Sequence, residues 1–84
     1  MFTILHKRVG NRVFDRYYKD WENAKQAFDF EEVEDFLKSG YSIKNKIDRF
    51  NAAKGFYEYE VTLIKEDEEE VHLSLIDGFF MDEE

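Results

Sequence analysis

The sequence predicts an α+β domain: an antiparallel sheet of about five strands in ββ-αα-βββ order, with two short helices or one bent helix packed on one face. Three observations predict it. Gly10-Asn11 separates two strand-like runs, a short-range hairpin signal. Asp20 and Gly40 bracket a stretch whose apolar residues recur at helical spacing. Residues 57–64 alternate between the two faces of a strand. Residues 1–84 read as a single small domain, with 79–84 a candidate C-terminal tail.

Residues 2–9 form the first strand and 12–18 return along it. Closing the turn at Val9 and Arg12 sets Arg8 opposite Val13, His6 opposite Asp15 and Ile4 opposite Tyr17. Asp20 is a helix N-cap, since its carboxylate can accept from a free N–H of the first turn. Trp21, Ala24, Ala27 and Phe28 make one apolar stripe; Phe30, Val33, Phe36 and Leu37 make a second, out of phase with the first. Asp29 and Glu32 have the spacing of a capping box. This phase break predicts helices over 21–28 and 30–38 with a kink or turn at Asp29, or one bent helix, stopping at Gly40. Ile43, Ile47 and Phe50 fit a helix face, but the Gly stop before them and the loop at 51–55 favour a strand over 41–50. In the strand at 56–65, Tyr57, Tyr59, Val61 and Leu63 point inward, and Glu58, Glu60, Thr62 and Ile64 point out. Residues 71–76 pair with it. Burying Val71, Leu73 and Leu75 beside Val61 and Leu63 requires an odd loop of about three to five residues around Glu66–Glu70. Asp77-Gly78 marks a turn before Phe79-Phe80-Met81, which either close the core or form an exposed tip.

Nine Phe, five Tyr and one Trp supply the core of a small chain, because each buried aromatic removes roughly 150–250 Å² from water. The absence of cysteine excludes disulfides and thiolate metal sites and points to the cytoplasm. No apolar run is long enough for a membrane span, and Met1-Phe2-Thr3-Ile4 lacks the pattern of a signal peptide. Residues with AT-rich codons (Phe, Tyr, Ile, Asn, Lys) outnumber those with GC-rich codons, 31 to 12. That bias suggests a low-GC bacterium or its phage as the source.

Charge alternates in four blocks. Residues 1–19 carry five bases against one acid, a net of +4; residues 20–40 carry seven acids against two bases, a net of −5. Residues 41–55 carry four bases against one acid, a net of +3; residues 56–84 carry eleven acids against Lys65, a net of −10. The pattern predicts a bipolar molecule of net charge −8.

No motif specifies a reaction. Without Cys, and with no nucleophile elbow or glycine-rich phosphate loop, the chain reads as non-enzymatic and free of cofactors and metals. His6 and Asp15 read as an ordinary cross-strand pair before a carboxylate-oriented histidine. The run Glu66, Asp67, Glu68, Glu69 and Glu70 lacks the ligand spacing and glycine of a calcium loop and reads as a solvated hairpin loop. The acidic surface is the leading functional signal. Glu31, Glu32 and Asp35 on the helix, Glu58 and Glu60 on a strand, the 66–70 run, and Phe79 with Phe80 form the candidate partner-binding set. They suit a basic protein partner, met by a small acidic inhibitor or nucleic-acid mimic of phage or mobile-element origin acting as a monomer or weak homodimer. The alternative is a nucleic-acid-binding module using Lys7, Arg8, Arg12, Arg16 and Tyr17, a set that joins phosphate-binding cations to a stacking ring.

Overall fold

A computed structural model describes residues 2–53 and 55–77; Phe79, Phe80 and Met81, and with them the tail, lie outside the described residues. Strands β1 (Thr3–Val9), β2 (Arg12–Tyr18), β3 (Ser42–Asn51), β4 (Phe56–Ile64) and β5 (Val71–Asp77) form one antiparallel sheet in the order β2-β1-β5-β4-β3. One helix lies between β2 and β3 in sequence and packs on one face, here called the front. It comprises α1 (Trp21–Ala27), a π-helical segment (Phe28–Val33) and α2 (Glu34–Lys38). The α+β class, the strand number and the strand at 41–50 agree with the sequence pattern.

Local chemistry explains the turns. Val9 faces Arg12 and His6 faces Asp15, so Gly10-Asn11 is a two-residue loop. Gly10 has φ 63° and Asn11 does not share the positive φ, which places glycine at the first central position as a type II′ turn requires. The β4–β5 connection is longer than the sequence suggests, spanning 65–70. Glu68 N–H donates to the Lys65 carbonyl at 3.1 Å, and Asp67 takes φ 63°, a conformation Asp tolerates better than most residues. Leu63 still faces Val71, and the stretch 64–70 between these two paired residues is odd in length, so the required parity holds.

Of the two helical readings the single helix is the one found, and the inward stripe and the cap at Asp29 need correction. Asp20 caps α1 as expected, accepting from Asn23 N–H at 2.9 Å. Asp29 caps nothing, because the helix does not stop there. Phe28 and Val33, both buried, are five residues apart, the i→i+5 interval that a π segment places on one side. The phase break is thus absorbed by a wider turn inside one continuous helix. Phe30, expected on the second inward stripe, is 72% exposed, and Leu37 is 41% exposed. Phe36 does reach the core. The C-terminus closes as a Schellman motif. Tyr41 N–H donates to Phe36 O at 3.0 Å, Gly40 N–H to Leu37 O at 3.1 Å, and Gly40 has φ 98°. The Phe36 and Tyr41 rings meet edge to face at 5.1 Å.

The front face holds the core: Leu5, Phe28, Tyr59, Leu63, Val71 and Leu73 are its largest fully buried side chains. Val61, Leu75, Ala24, Ala27 and Val33 complete it. The two edge strands are exposed along nearly their whole length. On the back face, among the described residues, only Ile4 (5% exposed) is a buried apolar residue, and it does not join the main cluster. It lies beside Tyr17 and Ile76 in the ladder, and Phe2 packs on Tyr17 with centroids 5.3 Å apart.

Leu73 lies at the centre of this core, so Leu73→Ala should cost about 2–5 kcal/mol by urea unfolding. Val13, exposed on β2, should change stability by less than about 0.5 kcal/mol when made Ala. Equal losses at both positions would contradict the described front-face core.

Candidate functional site: an acidic helix surface and its neighbours

The topology brings the charge blocks together. The two basic blocks become the edges of the sheet, the β1–β2 hairpin and β3, and the acidic blocks become the helix and the interior strands β4 and β5. The molecule is therefore striped, not bipolar, and several acids are spent on internal pairs. Lys7 Nζ lies 3.1 Å from Glu32 Oε1, Arg49 Nε donates to Glu58 Oε1 at 3.0 Å, and Lys44 Nζ lies 3.0 Å from Glu70 Oε2. Lys44, with a smaller contribution from His72, holds the Glu70 carboxyl below its usual range.

The candidate acids do not form one surface. Glu58 and Glu60 point to the back face, opposite the helix, as Tyr59 and Val61 point to the front core. Glu32 is engaged by Lys7. Glu31, Glu34 and Asp35 are exposed on the helix; among the described residues none of them forms a close ion pair, although the Glu31 charge is felt by Arg16. Glu66, Asp67, Glu68 and Glu69 are exposed in the 65–70 connection. That connection adjoins the C-terminal end of the helix, where Lys65 Nζ donates to the Ser39 carbonyl at 2.7 Å. The exposed acids thus fall on the helix and on a loop that meets the helix end at Lys65 and the β1–β2 turn at its other end, where Gly10 N–H donates to the Glu70 carbonyl at 3.2 Å; Glu58 and Glu60 lie apart on the back face. Glu34, beside Asp35, is exposed with Glu31 on the helix.

The basic hairpin is split by the pleat. Lys7, Arg12 and Arg16 share the front side with Leu5 and Val9, whereas Arg8 and Tyr17 share the back with Ile4. Tyr18, then Glu32 and more weakly Glu31, hold the Arg16 guanidinium even more firmly protonated than usual. Beside it lies an open cleft of about 210 Å³ lined by Leu5, Lys7, Phe14, Asp15, Arg16 and Glu32. Its cations are already faced by carboxylates, so it offers no free anion site of one sign.

On the back face, Asp15, His6, Ser74 and Glu60 fall in one row across four strands. His6 Nδ1 and Asp15 Oδ1 are 2.6 Å apart, as the hairpin register predicts. The order of residue types resembles an acyl-transfer relay, but Ser74 lies on β5, a central strand of an open sheet paired on both sides. The backbone N–H groups beside it are committed to the two ladders and not aimed at an oxyanion. No group of three His, Asp or Glu among the described residues is placed to hold a metal.

The helix is positioned for its surface role by Tyr59. This residue is 2% exposed, and its hydroxyl donates to Asp29 Oδ1 at 2.5 Å. Asp29 also pairs with Lys25 at 3.3 Å. The Tyr59 ring packs on Phe28 with centroids 4.8 Å apart, and Lys25 Nζ lies 5.1 Å from its centroid. Burial first, and the Asp29 carboxylate second, push the Tyr59 phenol far above its ordinary value.

No protein-family model, curated protein or solved structure matches this chain. Among the described residues, no helix is long and apolar enough to cross a membrane.

Two outcomes follow. Neutral Tyr59 contributes stability that is fully present below the unfolded tyrosine pKa of about 10 and is lost as pH rises through the folded value. Urea unfolding from pH 9 to 11 should show that decline, and Tyr59→Phe should remove part of it; an unchanged slope would contradict the assignment. The exposed His6–Asp15 pair should show a coupling of about 0.2–1 kcal/mol in a double-mutant cycle at pH 6. Zero coupling would reduce it to proximity.

Proposed function

We propose that the protein is a non-enzymatic interaction domain that docks a basic protein partner through the outer side of its helix and the adjoining acidic loop. The most specific form of the reading is a small acidic inhibitor or nucleic-acid mimic that competes for a basic groove. One observation carries it. Glu31, Glu34 and Asp35 stand exposed without a close ion pair among the described residues, Glu31 feeling Arg16 only weakly, while Glu32, Glu58 and Glu70 are matched internally. Carboxylates needed only for internal balance would be met by the abundant Lys and Arg of the edge strands. Carboxylates held on a helix tied down at Tyr59 present a fixed field, and such a field steers an oppositely charged partner.

The domain is also acidic overall, which favours this reading over the basic hairpin as a nucleic-acid surface. Nucleic-acid binders gather their cations on one face, and here the pleat divides them.

The reading is tested by affinity capture from the source cell with two baits, the wild type and Glu31→Gln/Glu34→Gln/Asp35→Asn. A basic protein should be retained by the wild type, lost at least tenfold by the variant, and released as salt is raised. The variant should unfold at the same urea concentration as the wild type, since its altered side chains are exposed. Equal retention by both baits, or retention of duplex DNA by the wild type, would contradict the proposal.

A further inference from the structure

We infer that the free edge of β3 is a second docking site, which takes an extended acidic segment of a partner protein as a sixth strand. The inference does not rest on the acidic helix surface. β3 is the outermost strand on its side of the sheet, the longest at ten residues, and contains neither proline nor glycine. An edge of this kind presents unpaired N–H and C=O groups along its length. A peptide that adds to such an edge gains main-chain hydrogen bonds, and the surfaces beside the edge select its alternate side chains.

Those surfaces differ in chemistry on the two faces. Asp29 bonds Tyr59 of β4, whereas Glu32 reaches Lys7 of β1. The helix therefore turns its Asp29 flank toward β4 and β3. Phe30 adjoins Asp29, and Leu37 lies two turns along the same flank. Both are exposed, and Ile43 on the front of β3 is 46% exposed. The front side of an added strand would meet this apolar strip. On the other side, Arg49 reaches the back-facing Glu58, and its side chain stays 67% exposed although paired. Lys44, at the register shift between Ile43 and Asn45, stays 58% exposed. Lys46, opposite Val61, faces the front beside the apolar strip, with its ammonium 5.7 Å from the Tyr59 ring centroid and no carboxylate paired to it among the described residues.

The charge selects the occupant. β3 carries Lys44, Lys46 and Arg49 against Asp48. A second copy pairing β3 with β3 would oppose like charges, which destabilises a ladder. The same cations that guard the edge against itself admit a strand of acids alternating with apolar residues.

The test uses the full chain and two eight-residue peptides, one alternating Glu with Val and one alternating Lys with Val. Saturating Glu/Val peptide should slow amide hydrogen exchange at least tenfold within residues 42–51 and leave 12–18 unchanged. The Lys/Val peptide should bind at least tenfold more weakly. Lys46→Glu and Phe30→Ser, both at exposed positions, should each weaken Glu/Val binding at least fivefold with unchanged thermal midpoints. Should either variant lose its fold, the peptide comparison on the wild type decides. No binding, protection on β2 instead of β3, or equal binding of the two peptides would overturn the inference.

Discussion

Tyr59 holds the helix to the sheet with both parts of its side chain. The ring fills the core against Phe28, and the hydroxyl ends on Asp29 inside the π segment. The two contacts constrain each other. Asp29 can reach the Tyr59 hydroxyl while Phe28 and Val33 both face the sheet only if the helix widens between them. A regular α-helix would rotate one of the two apolar residues away. The π segment, an uncommon element, is here the geometry that satisfies one buried hydroxyl and two buried apolar side chains together. Every later part of the helix inherits its orientation from that turn, including the exposed Glu31, Glu34 and Asp35 and the apolar flank at Phe30 and Leu37.

The second organising constraint is strand order. β5 enters between β1 and β4, so the most acidic stretch of the chain supplies the middle of the sheet and the basic stretches supply its edges. This arrangement supplies a cross-strand partner for Glu58, brings Lys44 to Glu70 in the connection, and lets Lys7 reach the helix at Glu32. It also leaves like-charged edges on both sides, which discourages copies from pairing edge to edge. Charge that looks bipolar along the chain becomes striped in space, and among the described residues the helix surface and the 66–69 loop hold most of the acids without an ion-pair partner, with Glu60 apart from them on the back face.

Features set by adjacent residues were legible in the sequence. The Gly10-Asn11 turn follows from backbone freedom at one glycine, and the His6–Asp15 pairing follows from the turn. Asp20 and Gly40 mark the helix ends because orphan N–H and C=O groups there need partners. The alternation around Tyr59 and Val61 names the core face. The π segment was not legible, since a five-residue apolar interval looks like a break when 3.6-residue periodicity is assumed. That assumption placed Phe30 and Leu37 in the core. The strand order was not legible either, because the pairings of β5 with β1 and β4 join residues far apart in the chain. Without it, the cations that take up Glu58 and Glu70 could not be placed beside them, and the candidate site was drawn too widely.

The central claim is that the unmatched acids of the helix and its adjoining loop, and not acidity in general, form the recognition surface. Chemical-shift mapping with an octa-arginine peptide tests it most directly. The largest shifts should fall on residues 31–35 and 66–69, and they should fade together as salt is raised. Shifts of equal size at Glu58 and Glu60, or spread evenly over every carboxylate, would contradict it.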